Sequence, residues 1–488
     1  MPVLDWIVLM FFFLVLIVIG VVSFRKVKSS NDFFMAGGKL PWWLAGVSHH
    51  VSGYSGAVFV GYASLAYTDG FTIYVWWAFT IAISLWIGSG IFAVRWSRLR
   101  ENLHVQSPLE YLKRRYNGPA QQLMAWSGAL LKLFDVGAKW AAIALLLNVF
   151  TGTPIQVGIL MSGGIALVYI TIGGLWADVM NDFAQFIVQL LAGFVMFFVV
   201  VQQLGGVSSL WGIWDQLPER NAALFNDNYP IGFMLTFLAI NFLSYNGGTW
   251  TLATRFLSSS NPRQAMKAAK LSSILYLLWP LILFFPMWAA PILIPGMEDT
   301  SQSYALLTKK FLPTGMVGLV LASMFANTMS MTSSDSNTVS SVISRDILPV
   351  LFPKLRDLEP KRRLWLARTT TFLFTFATLL IGLQADSFGG VLGLIISWYG
   401  GLLGPVAIPM LLGLLPAFKH CDHKAAIASV VSGFTGFAIV KYVIVGSLLM
   451  QVATPICVAF CFFMFFGWLN RGNVSKGAEE VMQALKGI

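Results

Sequence analysis

The chain has 488 residues, of which 57% are hydrophobic and only 11% are charged. Soluble domains carry about 25% charged residues, and apolar stretches of about 20 residues recur here, so the composition excludes an ordinary soluble protein. The net charge of +11 is spread over short loops between apolar stretches, which indicates membrane topology rather than a nucleic-acid partner. The three cysteines are too few for a disulfide framework.

Thirteen stretches are long and apolar enough to be membrane-spanning helices, so we expect an all-α polytopic membrane protein. They are residues 4–24, 40–66, 71–94, 123–150, 155–172, 175–202, 231–257, 268–294, 314–343, 364–383, 391–418, 425–447 and 449–469. The first stretch is longer than a signal-peptide core and lacks a basic leader and a small-residue cleavage site, so we expect it to be retained.

Lysine and arginine are divided unequally between alternate loops. One set of loops, with the C-terminal tail, holds 26 of them, the other set holds 3, and 3 lie inside spans. The positive-inside rule assigns the first set to the cytoplasm. The sequence therefore predicts an external N-terminus and a cytoplasmic C-terminus, which an odd number of spans such as thirteen satisfies.

Two of the apolar stretches carry glycines and polar residues at their centres. The second contains the run from Ser48 to Gly56, and the seventh contains the run from Ser244 to Trp250. Glycine loosens a helix and exposes its carbonyls, which is tolerated at membrane depth only beside protein or water. Because the two stretches are five spans apart, they have opposite orientations, a pattern typical of inverted-repeat transporters with the site between the breaks. Helix packing through glycine is the alternative.

Residues 325–341 form a third unusual stretch. Nine Ser or Thr residues, two Asn residues and Asp335 occur in this otherwise apolar helix. Small hydroxyl residues promote close helix packing, but packing needs only a few of them. Hydroxyl and carbonyl oxygens are the ligands of small hard cations, and in a membrane they must face protein or water. The stretch therefore predicts a cation site.

Four motifs resemble those of the sodium/solute symporter family, which includes sodium-coupled sugar, proline and sialic acid transporters. They are Phe33 to Trp43 before the first broken helix, Gly173 to Leu175 followed by Asn181, Asp182 and Gln185, the run Arg255-Phe-Leu-Ser-Ser, and the polar stretch Ser330 to Asp346. The resemblance covers nearly the whole chain. It implies a LeuT-type fold of two inverted five-helix repeats that works by alternating access.

The same resemblance divides the chain into parts. The repeats would be residues 40–204 and 231–418, joined by an external loop at residues 205–230. Residues 1–39 would hold an extra helix and a cytoplasmic loop, and residues 419–488 two extra helices and a short cytoplasmic tail.

The resemblance also implies sodium sites. The positions of a second family site fall on Asp182, Ser333 and Ser334, and all three side chains can coordinate a cation. We therefore expect this to be the more complete sodium site of the chain.

The positions of the shared family site are only partly suitable for sodium. They fall on the backbone carbonyls of Val51, Tyr54 and Asn327 and on the hydroxyl of Ser330, while the position of the second hydroxyl holds Met331. A thioether is a poor sodium ligand, so we expect an impaired site.

Asp335 has three alternative roles at this stage. It lies one helical turn beyond Met331 and could compensate for it, because residues four apart share a face. It could instead pair with a buried cation such as Lys139, or take up a proton as the coupling ion.

The candidate solute-binding residues lie near the two breaks and offer rings, amides, hydroxyls or positive charge. They are His49, His50, Ser52, Ser55, Trp76, Lys139, Tyr245, Asn246 and Thr249. The resemblance adds Tyr276 and Ser397, onto which the solute-binding positions of the family's sugar transporters fall. Rings with hydroxyls suit a polyhydroxylated solute, and Lys139 or a histidine suits a carboxylate. A Lys139–Asp135 pair on one helix face and histidines satisfied within the core are the structural alternatives.

The sequence thus predicts a symporter, not an enzyme, that imports a small polar organic solute such as a sugar or sugar-derived acid. Na⁺ is the expected coupling ion and no cofactor is expected. The solute, Na⁺ and the lipid bilayer are the expected partners, without nucleic acid or an obligate protein partner, in the plasma (inner) membrane. Proton coupling or an amino-acid or organic-acid solute is the alternative, and a membrane sensor is less expected because few residues follow position 469.

Overall fold

The computed structural model describes residues 1–384 and 403–486, and these ranges are built from helices. The first nine are α1 (Val3–Phe24), α2 (Ser30–Met35), α3 (Trp42–Val51), α4 (Ala63–Asp69), α5 (Thr80–Gly88), α6 (Val94–Leu103), α7 (Glu110–Arg115), α8 (Gly118–Thr151) and α9 (Ile155–Gln203). Next come α10 (Ser209–Gly212), α11 (Glu219–Ala222), α12 (Ile231–Leu243), α13 (Thr251–Leu257), α14 (Pro262–Leu293), α15 (Ser303–Phe311), α16 (Met316–Val342), α17 (Leu348–Leu351) and α18 (Pro360–Leu383). The last are α19 (Gly404–Leu412), α20 (His423–Ala438), α21 (Leu448–Leu469) and α22 (Lys476–Leu485).

Eight helical stretches within the described ranges are long and apolar enough to cross a membrane. The prediction of an all-α, multi-pass membrane protein is therefore confirmed for this part of the chain. The number of thirteen spans and their orientation stay predictions. Of the predicted span 391–418, the structure describes α19 and the residues that follow it, whereas residues 391–402 lie outside the described ranges.

Helix α9 (Ile155–Gln203) consists of two helical segments joined at a kink. It bends at Gly174, which has φ 53° and ψ −145°. A Cβ atom there would lie 2.5 Å from the carbonyl oxygen of Phe33, so only glycine fits. The bend lies between the predicted spans 155–172 and 175–202, and it separates them within one helix.

Both predicted helix breaks are present. Helix α3 ends at Val51 and regular helical structure resumes at a π-helical turn, Val58–Tyr62. Helix α12 runs into a second π-turn, Ser244–Gly248, in which Gly247 has φ 119°, and α13 begins at Thr251. The glycine at position 247 is required because a Cβ atom would lie 2.6 Å from Nε1 of Trp96.

Helix α16, which carries the polar stretch, lies at the centre of the fold. It packs against α1, α8, α9 and α18, and nearly every residue from Val320 to Val342 is buried. Because its hydroxyl, amide and carboxylate groups are enclosed by other helices, each must find a partner within the protein.

Candidate functional site

The two helix breaks lie against each other. The hydroxyl of Tyr245, in the second break, donates to the carbonyl of Gly53, in the first break, at 3.4 Å. A Cβ atom on Gly53 would lie 2.9 Å from the Tyr245 ring and would collide with the hydroxyl of Tyr276. The chain thus brings its interrupted helices together, as expected for a site formed between them.

Three buried side chains form what we call the aspartate–arginine cluster: Asp178 and Asp182 of α9 and Arg255 of α13. Nη2 of Arg255 lies 2.7 Å from Oδ2 of Asp178 and 3.2 Å from Oδ2 of Asp182. All three side chains are fully buried. The two aspartates are four residues apart and therefore share one face of α9.

Three serines of α16 donate hydrogen bonds to these carboxylates. Ser330 donates to Oδ1 of Asp182 at 2.5 Å. Ser333 and Ser334 donate to Oδ1 and Oδ2 of Asp178 at 2.5 Å and 2.7 Å. The polar face of α16 is therefore directed at both aspartates of α9.

Two further serines belong to the first broken helix. Ser48 donates to Asp182 and accepts from Nε of Arg255 at 2.7 Å. Ser52 accepts from Nη2 of Arg255 at 3.1 Å. We count these five serines as members of the aspartate–arginine cluster, which consequently joins α3, α9, α13 and α16.

The aspartate–arginine cluster contains two carboxyl groups and one guanidinium. Two carboxylates face one guanidinium, and no other Lys or Arg in the described ranges forms an ion pair with either aspartate. With both carboxylates ionised, one negative charge remains uncompensated in a fully buried site. Such a charge is costly without a bound cation or proton, and the surrounding hydroxyl and carboxylate oxygens are suitable ligands for a hard cation.

The predicted second sodium site overlaps this cluster. Asp182, Ser333 and Ser334 all belong to it, but the two serines bond to Asp178 and not to Asp182. Sequence reasoning missed Asp178, although its spacing of four residues from Asp182 was a usable signal. It also gave Arg255 no role in the site.

Three residues of the predicted shared sodium site, Val51, Asn327 and Ser330, have protein partners. The carbonyl of Val51 accepts from the backbone N–H of Tyr54 at 3.1 Å. The hydroxyl of Ser330 donates to Asp182, and the side chain of Asn327 donates to a carbonyl of its own helix. The carbonyl of Val51, the side chain of Asn327 and the hydroxyl of Ser330 are therefore engaged within the protein in this arrangement.

A second group of charges, which we call the lysine–aspartate cluster, joins α8 to α16. Its members are Lys132, Asp135 and Lys139 of α8 and Asp335 of α16. Nζ of Lys132 lies 3.1 Å from Asp135 and 2.8 Å from Asp335. Nζ of Lys139 lies 2.7 Å from Asp135 and 2.8 Å from Asp335. Of the three roles considered for Asp335, pairing with Lys139 is the one present, and Lys132 is a partner that the sequence did not indicate.

The half-helix α13 connects the two clusters. Its first residue, Thr251, donates to Oδ1 of Asp335, and Arg255 follows one turn later in the other cluster. On α16 the neighbouring residues Ser334 and Asp335 bond to different clusters. The short helix α13, which follows the second break, is therefore held at Thr251 and at Arg255 by buried polar contacts.

The two candidate histidines differ in their environment. The ring nitrogens of His49 lie 2.9 Å from the hydroxyl of Ser272 and 3.1 Å from the carbonyl of Tyr245. Neither ring nitrogen of His50 has a hydrogen-bond partner in the described ranges, although the side chain is fully buried. Its ring packs against Tyr54 and Tyr276 at centroid distances of 4.9 Å and 4.6 Å. The protein thus engages His49, whereas His50 keeps two buried ring nitrogens without a partner in the described ranges.

Four other candidate solute residues are engaged by the protein. Ser52 belongs to the aspartate–arginine cluster and Lys139 to the lysine–aspartate cluster. Asn246 donates to the carbonyls of two other residues, and Thr249 donates to a carbonyl in its own turn.

The remaining candidates lie in different parts of the fold. Tyr245 and Tyr276 pack edge to face at 5.3 Å beside the breaks. Ser55 lies in the first break, partly exposed. Trp76 is buried among aromatic rings of α12 and the preceding loop, and Ser397 lies outside the described residues.

Comparison with known proteins shows extensive similarity. The profile of the sodium:solute symporter family matches residues 33–433. The sodium/glucose cotransporter of Vibrio parahaemolyticus is 25% identical over 85% of this chain and 80% of its own length. The sodium/sialic acid symporter SiaT of Proteus mirabilis is 24% identical over 74% of each chain.

A solved structure has the same fold. A Na⁺-coupled sialic acid symporter in a substrate-bound, outward-open state matches with a TM-score of 0.82 at 20% identity, over 96% of this chain and 98% of that chain. The family match covers most of the sequence, including both breaks and both clusters. The chain therefore belongs to the sodium:solute symporter family and is a transporter, not an enzyme.

Proposed function

We propose that the chain is a sodium-coupled symporter that imports a small polar organic solute, a sugar or a sugar-derived acid, by alternating access. The observation that carries this proposal is the excess negative charge of the aspartate–arginine cluster, beside two broken helices. The glucose and sialic acid symporters among its relatives support the solute class.

In this proposal Na⁺ binds at the aspartate–arginine cluster. Asp182, Ser333 and Ser334 are joined there by Asp178, which already holds both serines. With both carboxylates ionised, one Na⁺ would neutralise the cluster. We therefore expect a single coupling ion to bind there. The shared site stays impaired because Met331 offers no oxygen.

Cation binding would act on the helices that the cluster joins. Arg255 ties α13 to α9 and, through Ser48 and Ser52, to α3. A cation can favour one conformation only by binding it better than the other. Na⁺ on the aspartates would compete with the guanidinium for the same oxygens and so change the strength of these ties.

The solute would bind beside the first break. His50 supplies two buried ring nitrogens and Tyr54 a buried hydroxyl that have no partner in the described ranges. The rings of Tyr54 and Tyr276 stack face to face at 5.4 Å. The polar atoms of His50 and Tyr54 among these aromatic rings suit a solute that carries several hydroxyl groups.

The proposed topology has thirteen spans, an external N-terminus and a cytoplasmic C-terminus, in the plasma (inner) membrane. Residues 40–204 and 231–418 would be the two repeats. Reporter fusions placed after each span would test this arrangement, and two neighbouring fusions on the same side of the membrane would contradict it.

The transport proposal is tested by uptake into proteoliposomes that contain the purified protein. Labelled hexoses, sialic acid and proline would each be offered with an inward gradient of Na⁺, K⁺ or H⁺. Accumulation of a sugar or sugar acid that depends on Na⁺ is expected. Uptake without Na⁺ that an uncoupler abolishes would replace sodium by proton coupling, and uptake of proline alone would replace the solute class.

A further inference from the structure

A basic pocket lies beyond the C-terminal end of α16. It has a volume of about 210 Å³ and is lined by Arg345, Arg356, Arg363 and the hydroxyl residues Ser30 and Ser344, together with apolar side chains. No Asp or Glu lines this pocket in the described ranges. Three guanidinium groups around one small cavity make it a candidate for an anion, because arginine recognises phosphate oxygens in a forked geometry.

Two of the three guanidinium groups lack a counter-ion within the described part of the chain. Nε of Arg356 donates to the carbonyl of Pro349 at 2.9 Å, and Nη2 of Arg363 donates to the carbonyl of Arg356 at 3.1 Å. No carboxylate in that part of the chain lies within 4.0 Å of either group. Both side chains are exposed, so these bonds orient the guanidinium groups while their charge faces solvent.

The third guanidinium is fixed by an ion pair. Nη2 of Arg345 lies 3.2 Å from Oε1 of Glu110. Arg345 belongs to the π-turn Ile343–Ile347, which continues α16 directly. A ligand in the pocket would therefore contact the end of the helix that carries the aspartate–arginine and lysine–aspartate contacts.

The surroundings of the pocket are those of a membrane interface. Val350, Phe352 and Trp365 are close by in sequence and are 45%, 57% and 68% exposed. Exposed apolar and Trp side chains beside arginines are typical of the level where lipid headgroups meet the acyl chains. In the proposed topology this level belongs to the cytoplasmic leaflet, which is rich in anionic lipid.

We propose that this basic pocket binds the phosphate group of an anionic ligand. The apolar rim favours a phospholipid headgroup as the source of that phosphate. A soluble phosphate compound has the same chemistry and is distinguished by experiment. The proposal depends on the pocket's charges and not on which solute the protein transports.

The test measures binding to the full-length protein in detergent by native mass spectrometry. The probes are phosphatidylglycerol, phosphatidylcholine and inorganic phosphate. The double variant Arg356→Gln/Arg363→Gln removes the two uncompensated charges. The matched control Lys361→Gln/Arg362→Gln removes the same charge from exposed residues of the same segment that do not line the pocket.

We expect the wild-type protein to bind phosphatidylglycerol more tightly than phosphatidylcholine. The pocket variant should lose about thirtyfold in affinity for phosphatidylglycerol, and the control less than about threefold. Displacement of the lipid by millimolar inorganic phosphate would support the phosphate site and would indicate a soluble phosphate compound as its ligand. Equal losses in the two variants, or no preference for either phosphate probe over phosphatidylcholine, would overturn the proposal.

A second pocket variant tests the same proposal if the glutamine variant does not fold. The double variant Arg356→Lys/Arg363→Lys keeps both charges and loses only the forked donors. It should bind phosphatidylglycerol more weakly than the wild type and more tightly than the glutamine variant. Affinity as high as that of the wild type would contradict recognition by the guanidinium groups.

Discussion

The two buried charge clusters are made from the same kinds of groups and share helix α16, yet their charge balance differs. In the lysine–aspartate cluster two ammonium groups each contact the same two carboxylates. In the aspartate–arginine cluster two carboxylates share one guanidinium. Ser334 and Asp335, adjacent in sequence, belong to different clusters.

This difference assigns separate roles to two faces of one helix. A balanced buried cluster needs no further ion, because its charges compensate one another. A cluster with an excess carboxylate needs a cation or a proton, and can therefore respond to ion concentration. We infer that the face of α16 toward α9 is the ion-binding face, whereas the face toward α8 holds the fold together.

The largest expected effect is on stability, when the balanced cluster is broken. Asp335→Asn would leave Lys132 and Lys139 with Asp135 as their shared carboxylate among the described residues. Removing one partner of a buried pair costs about 3–5 kcal/mol, so thermal unfolding in detergent should occur at a clearly lower temperature.

A compensating double variant serves as the control for this effect. Asp335→Leu/Lys132→Met removes one charge of each sign and leaves the pair of Lys139 with Asp135. Its unfolding temperature should lie between those of the wild type and of Asp335→Asn. If the single and double variants are equally unstable, charge balance is not what stabilises this cluster.

The next largest effect is on sodium dependence, when the unbalanced cluster is changed. Asp182→Asn should raise the Na⁺ concentration for half-maximal uptake about tenfold or more, equivalent to at least about 1.4 kcal/mol. The double variant of the other cluster should change it less than about threefold, because no Na⁺ ligand is altered. Similar sodium dependence in both variants would contradict the division of roles between the two faces.

A smaller shift in the same measurement is expected at Asp178. Asp178→Asn cancels the excess charge but leaves Ser330 and Ser48 on Asp182. The half-maximal Na⁺ concentration should therefore rise about threefold to tenfold. An unchanged half-maximal Na⁺ concentration would exclude Asp178 from the sodium site and would leave Asp182, Ser333 and Ser334 as its ligands.

The parts of the fold that could be predicted are those that depend on a short stretch of neighbouring residues. Glycines beside polar residues in apolar stretches marked both helix breaks, and Gly173-Gly174 separated two spans within α9. The polar stretch of α16 could be recognised from the sequence, because so many hydroxyl groups in a membrane helix must face protein or water.

The partners across helices could not be predicted, because they depend on packing. Lys132 looked like an isolated charge inside a span, and only the approach of α16 to α8 gives it Asp335 as a partner. The role of Asp178 could not be predicted either, because it depends on the hydrogen bonds that Ser333 and Ser334 of α16 donate to it. The π-turns, such as Tyr74–Phe79, have no simple sequence signal because they arise where a helix adjusts to its neighbours.

The smallest expected effect concerns the impaired shared site. Met331→Ser would restore the missing hydroxyl next to Ser330, which here donates to Asp182. If the carbonyls near the first break can still gather around a cation, a second Na⁺ should bind, and the Hill coefficient for Na⁺ should rise from about one towards two. The half-maximal Na⁺ concentration should change less than about threefold, because the aspartate–arginine cluster keeps its own ligands.

A parallel Met331→Ala variant separates the effect of the added hydroxyl from the effect of losing the thioether. If both variants give the same Hill coefficient, the hydroxyl adds no ion site and the aspartate–arginine cluster alone accounts for sodium coupling.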